Sequence, residues 1–193
     1  MLYHGTTQLN TRRIEKDGFH VPMLDILNVE RNKRNWNKSI GSLGYGLYTF
    51  ENDPQLAYEF ASKFDPKNPV VFELPNIIPE KNLLDLTDPD TNLLFRKFCE
   101  DERNSKHGER IYDHVRHRGK VKSYAGVMTE LFIIFLKKKY KITTLGVKRW
   151  TETDLPGVRY GVGANGIEVT VRNAQLINMG KINILRREDI YGS

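Results

Sequence analysis

Cysteine is almost missing from this chain: among 193 residues only Cys99 is present. One thiol closes no internal disulfide and builds no four-cysteine zinc site, so a core held by burial and a reducing, cytoplasmic setting are expected. Long apolar runs are missing too. The longest, Leu131 to Leu136, falls far short of the roughly 20 residues that span a bilayer, so no membrane partner is expected. The opening MLYHGTTQLN turns polar within four residues and lacks the apolar stretch of a secretory signal. No G-x-S-x-G elbow occurs, and Cys99, in LLFRKFCED, reads as a half-buried helix residue rather than a nucleophile.

Positive charge is in excess. The formal net charge is +6, and the surplus is clustered. One cluster is Arg31, Lys33, Arg34 and Lys38, with no acid between Asn32 and Phe50; a second runs from Arg103 to Lys122, interrupted only by Glu109 and Asp113. Trp36, Tyr45, Tyr112 and Tyr124 lie among or beside these cations. Basic grooves with interleaved rings suit phosphates and stacked bases, and a solvated basic surface is the plainer alternative. His107, His114 and His117 share the second cluster, but the surrounding Arg110, Arg116, Arg118 and Lys120 repel a divalent cation, so no metal site is expected.

The length suits a single domain, residues 1–193. Met1 to His4 reads as a short strand that turns out at Gly5, followed by a helix over Asn10–Gly18. Asp25–Ser42 is polar and weakly periodic, and is read as a loop or frayed helix over the site. Leu43–Phe50 is a glycine-punctuated strand. Asp53-Pro54 then caps a helix whose stripe is Leu56, Ala57, Phe60, Ala61 and Phe64. A strand over Val70–Leu74, a helix over Thr91–Glu102 and a buried helix over Tyr124–Tyr140 follow. Strands are expected at Ile142–Val147, Ile167–Val171, Gln175–Asn178 and Lys181–Leu185. Helices and strands do not strictly alternate, which favours α+β with a mainly antiparallel sheet.

Gly161, Gly163 and Gly166 satisfy the dinucleotide fingerprint G-x-G-x-x-G, yet its context fails. Gly166 is followed by Ile167-Glu168-Val169-Thr170-Val171, an alternating run that makes a strand where the fingerprint requires a helix.

Three other pieces stand together: Tyr3-His4-Gly5-Thr6, then Gly44-Tyr45-Gly46-Leu47-Tyr48-Thr49, then Gly166 to Leu176 with Glu168 on its strand. Singly, each has a plain reading: a structural histidine at a strand end, a β-bulge, a solvent-facing strand glutamate. In this order and spacing they resemble the His-Tyr-Glu signature of the NAD-dependent ADP-ribosyltransferases of the diphtheria-toxin and PARP-like branch. The resemblance covers the scaffold strands but neither Asp25–Ser42 nor Thr87–Ser123.

The resemblance implies an ADP-ribosyltransferase fold, two packed, mainly antiparallel sheets with flanking helices and an NAD cleft between them. It implies NAD as co-substrate and Glu168, His4 and Tyr48 as catalytic residues. His4, Gly5, Thr6, Gly46 and Tyr48 would bind NAD, with Phe60 or Tyr58 as a second stacking ring; core packing is an equal reading for Phe60. Gly166 stands where arginine-modifying members carry an acid or amide, which disfavours arginine as acceptor, and the short tail favours mono-transfer. The basic segments tilt the acceptor toward nucleic acid, RNA or DNA, over protein. A small stand-alone transferase of this kind resembles a bacterial or phage toxin or defence component, for which a neutralising antitoxin is expected. NAD hydrolysis, RNA 2′-phosphotransfer and a non-catalytic binding module are the rival readings.

Overall fold

The computed structural model describes residues 1–21, 26, 40–116, 123–153, 155 and 163–192, with the backbone alone at 114–116. The whole of the first basic cluster with Trp36, the expected loop over Asp25–Ser42 apart from residues 26 and 40–42, the end of the second cluster, the side chains of His114 and His117, and Gly161 lie outside the described residues.

The chain enters as strand β1 (Leu2–Thr7) and passes into helix α1 (Gln8–Asp17). Thr7 caps that helix by accepting the Asn10 N–H, and Gly18, at φ 74°, ends it. Strand β2 (Leu47–Glu51) leads into helix α2 (Pro54–Ser62), which opens as the sequence predicts: Asp53 accepts the Leu56 N–H at 2.8 Å and Pro54 occupies the first turn. Phe64 falls beyond the helix end and stays 63 % exposed instead of joining the apolar stripe. Strands β3 (Pro69–Leu74) and β4 (Leu83–Asp85) precede helices α3 (Pro89–Glu100), α4 (Glu102–Arg116) and α5 (Tyr124–Tyr140). Strands β5 (Gly146–Thr151), β6 (Gly166–Val171) and β7 (Asn183–Leu185) and helix α6 (Arg187–Tyr191) complete the fold.

The architecture is α+β, but the strands form one seven-stranded sheet, ordered β4-β5-β6-β2-β1-β3-β7, rather than two. All pairings are antiparallel except β4 with β5. One junction is short. Strand β1 meets β2 only at Leu2↔Glu51 and Tyr3↔Phe50, whereas it pairs with β3 along its whole length, from Leu2↔Leu74 to Thr7↔Pro69. Gly5 and Thr6 therefore continue the strand instead of turning out of it. Gln175–Asn178, expected as a strand, begins in a 3₁₀ turn over Ala174–Leu176, because Asn173 accepts the Gln175 N–H and bends the backbone.

Helix α5 is apolar nearly all round, and the largest core forms about it. Phe132 is fully buried, with its ring 5.3 Å from Phe95 and 5.1 Å from Phe98, while Val147 of β5 closes the cluster from the sheet. Deleting a ring of this kind costs about 3–5 kcal/mol. A second core packs Phe19, beyond α1, and Leu2, Phe72, Leu74 and Val169 together, and a third sits under α2 with Phe50, Leu56 and Ala57. Among the described residues no helix is long and apolar enough to cross a membrane.

Candidate functional site

Strand alternation decides which side chains meet. Phe50 pairs with Glu168, and Tyr48 with Thr170 two residues on, so Tyr48 and Glu168 fall on one face of the sheet. Arg149 of β5 is directly opposite Glu168, and Val147, two residues earlier, belongs to the α5 core on that same face.

His4 lies where β1 and β2 cease to pair. Its Nδ1 is 2.8 Å from the Tyr48 carbonyl oxygen, a side chain standing where a ladder hydrogen bond would otherwise be. A carbonyl only accepts, so Nδ1 carries the proton. Burial lowers the imidazole pKa below its ordinary value, against the opposing pull of the Tyr48 carbonyl, and the ring is neutral near pH 7. Nε2 is then left as an acceptor. Phe19 holds the ring edgewise at 5.7 Å.

Tyr48 is anchored at its hydroxyl. Leu43 N–H donates to Oη at 2.9 Å, and Oη–H donates to the Gly44 carbonyl at 2.9 Å, which places the phenol under the turn made by residues 41–44. Burial, the larger effect, and the Glu168 carboxylate both raise its pKa, opposed by the Leu43 N–H. It stays a neutral phenol. The turn itself is clamped from α5. Glu130 takes both Arg172 nitrogens, at 2.6 and 2.8 Å, and accepts the Tyr45 N–H at 2.6 Å, while Arg172 donates to the Tyr45 carbonyl at 2.9 Å. Gly44, at φ 79°, lies so close that a Cβ there would collide with the Glu130 carboxylate.

Glu168 is half-buried and turned inward. Burial raises its pKa above the ordinary carboxylate value, opposed in order by the Thr151 hydroxyl, the Ser42 hydroxyl and the Arg149 charge. Ser42 Oγ–H donates to Oε2 at 3.3 Å. The carboxylate lines a cavity of about 640 Å³ that Phe60 and Arg149 also line.

The remaining sequence candidates fall as follows. Gly5 is the close-approach point for α2: a Cβ there would overlap the Ala57 carbonyl oxygen. Thr6 is buried on β1 opposite Val70. Gly46 precedes β2 and abuts Thr170. Phe60 packs edge-on against Phe50 at 5.9 Å and faces the Glu168 cavity, whereas Tyr58 meets Tyr191 of α6 at 5.6 Å and does not line that cavity. The structure thus joins Tyr48 and Glu168 on one face and brings Phe60 to Glu168, while His4, paired with Phe72 and packed on Phe19, lies on the opposite face and is linked to Tyr48 only through its backbone carbonyl. Cys99 has its thiol pKa pushed up to about 11 by burial, which removes the thiolate a nucleophile needs.

Ser42, Arg149 and Thr151 were not among the sequence candidates. Arg149 and Thr151 were hidden because the strand was expected to end at Val147; the alternation K-R-W-T beyond it was the signal. Ser42 lies in a segment with weak periodicity, and no pattern marks it. Among the described residues there is no cluster of three His, Cys, Asp or Glu side chains able to hold a metal. Comparison with protein-family models, with curated proteins and with solved structures finds no match.

Proposed function

We propose that this protein is a mono-ADP-ribosyltransferase that moves ADP-ribose from NAD to a macromolecular acceptor, with nucleic acid favoured over protein. The observation that carries the reading is the inward-facing Glu168 carboxylate, shielded in a cavity and sharing a sheet face with Tyr48. The proposed fold is that of the ADP-ribosyltransferases. The brief β1–β2 junction supports it, since two residue pairs hold the halves of the sheet together far more weakly than the long ladders on either side do.

NAD supplies an activated glycosidic bond whose cleavage leaves neutral nicotinamide and an oxocarbenium-like sugar. The residues fit that need. Glu168, ionised, faces the positive charge that develops on the sugar; at about 4 Å and an effective dielectric near 20, a unit pair is worth on the order of 4 kcal/mol, or about a thousandfold in rate. The anchored Tyr48 ring offers a flat surface to nicotinamide, and neutral His4, on the other face of the sheet, holds the Tyr48 backbone in place through its carbonyl. Phe60 is the second ring, because it borders Glu168 and Tyr58 does not. Ser42 and Thr151 orient the carboxylate. For an active transferase of nucleic acid we propose a neutralising partner in the producing cell.

The test is release of nicotinamide from NAD by purified protein, with Glu168→Gln as the control. A fall of about a hundredfold or more in the variant is expected. Equal rates in both proteins would remove Glu168 from the chemistry. Radiolabel from NAD that stays in free ADP-ribose when cell extract is present would make the enzyme a hydrolase instead. No turnover in either protein, with NAD still bound, would make the fold a binding module.

A further inference from the structure

The Glu168 cavity extends well beyond that carboxylate, and its composition is specific. Its volume, about 640 Å³, is that of a small-molecule site, yet neither His4 nor Tyr48 is in its walls. The space therefore shares Glu168 and Phe60 with the nicotinamide site of the reading above and runs on from them, away from His4 and Tyr48. Its formal charges cancel, Lys63 and Arg149 against Glu152 and Glu168, so it is no phosphate trap. Leu86 and Phe60 supply apolar walls.

Thr153 is the telling residue in this lining. It is 8 % exposed and its hydroxyl has no partner among the described residues. The strand end that carries it is fixed on both sides by one carboxamide: Asn165 accepts the Thr153 N–H at 2.7 Å and donates to the Thr153 carbonyl at 2.7 Å. A buried hydroxyl left without a bond costs about 1–3 kcal/mol, and here its backbone is held rigid in the wall of a cavity. Across the same space Asn92 donates its amide to the Leu86 carbonyl at 2.9 Å, which fixes its Oδ1 as the end available to a ligand.

We propose that this cavity seats one nucleobase of the acceptor strand, with the Thr153 hydroxyl and the Asn92 carbonyl reading its polar edge. An uncharged, flat heterocycle with adjacent donors and acceptors answers a lining that is polar, charge-balanced and partly apolar. A base seated there lies beside Glu168, where a sugar losing nicotinamide becomes open to attack. Bases are taken out of the stack into pockets of this kind when chemistry is done on them, so single-stranded acceptors are preferred over duplex. The inference rests on the transferase reading above, and its test does not depend on turnover.

Fluorescein-labelled 12-mers of dA, dC and dT, their RNA counterparts and an abasic 12-mer are titrated with the full chain and followed by anisotropy. The wild type is expected to bind one homopolymer at least about tenfold more tightly than the abasic strand, whose phosphates alone remain. Thr153→Val, which keeps shape and loses the hydroxyl, is expected to cut that preference about fivefold or more, and Thr153→Ser to keep it. Melting curves confirm that each variant is folded. Equal binding of abasic and homopolymer strands, no binding of any strand, or an unchanged preference in Thr153→Val overturns the proposal. So does a loss of NAD affinity in Thr153→Val without loss of nicotinamide mononucleotide affinity, which would assign the cavity to the adenine of NAD. Absence of nicotinamide release in the wild type would instead strike the transferase reading and leave the base pocket to the binding data.

Discussion

Arg172→Met tests the clamp that holds the turn above Tyr48. Glu130 is 5 % exposed at its side chain and Arg172 17 %, and their contact is bidentate. Removing one partner of a buried pair strands the other charge and typically costs about 3–5 kcal/mol. Arg172 also donates to the Tyr45 carbonyl, so the upper half of that range is expected here. For a chain of this size each kcal/mol moves Tm by about 2–4 °C, which puts the fall at about 8–20 °C. A second variant, Glu130→Leu with Arg172→Met, removes both charges and should recover part of the loss. Recovery is incomplete because the Tyr45 N–H then lacks its acceptor, at about 1–3 kcal/mol. Calorimetry of the three proteins should rank wild type above the double variant and the double variant above Arg172→Met. A single-variant Tm within about 2 °C of wild type, under 1 kcal/mol on the same scale, would refute the assignment of a buried clamp. So would a double variant less stable than the single one.

Gly5→Ala should lower stability by about 1–3 kcal/mol, read as a reduced Tm, because the new methyl meets the Ala57 carbonyl and α2 has to shift; an unchanged Tm would contradict the close packing. Glu168 has a raised pKa, so its activity should fall on acidification at a pH above that of an exposed glutamate, and Ser42→Ala, which removes a bond to the ionised form, should move that limb to still higher pH. The same raised value means that the stability Glu168 contributes is fully present below its unfolded pKa and lost as pH rises through its folded one. Denaturant unfolding should accordingly show Glu168→Gln gaining on wild type at about pH 8 but not at about pH 4. For His4 the sign is opposite: its lowered pKa gives stability that is present above the unfolded value and lost as pH falls through the folded one. Nitrogen-15 spectra should show a neutral ring protonated at Nδ1, and a ring still charged at neutral pH would contradict it.

Helix ends with strong local chemistry were readable in the sequence. Asp53-Pro54 marked the start of α2, and the apolar run with its basic end marked α5 over Tyr124–Tyr140. Helix α4 was not readable, because its stretch from Glu102 is dominated by charge and its anchors, Ile111 and the small Gly108, are too sparse to make a stripe; Gly108 lies against Met128 of α5, a contact visible only in three dimensions. The end of β5 was lost for a related reason. Lys148, Arg149 and Trp150 look like a loop in composition, yet each is paired on β6, and Lys148 is tied to Glu51 at 2.8 Å. At the site, the glycine and tyrosine pattern located Tyr48 and the alternating strand located Glu168. Their polar neighbours were illegible, since Ser42 is 126 positions from the carboxylate it bonds, and no local pattern spans that distance.

Glu168 belongs to a strand bonded along both edges, to β2 on one side and β5 on the other. Freeing its backbone means opening two ladders together, so the carboxylate's place is inherited from the whole sheet. Ser42 and Thr153, which stand before it, come from a turn and from just past a strand end. Thr153 can be exchanged without opening either ladder, so on the proposed reading the preference of the pocket is free to drift while Glu168 keeps its place.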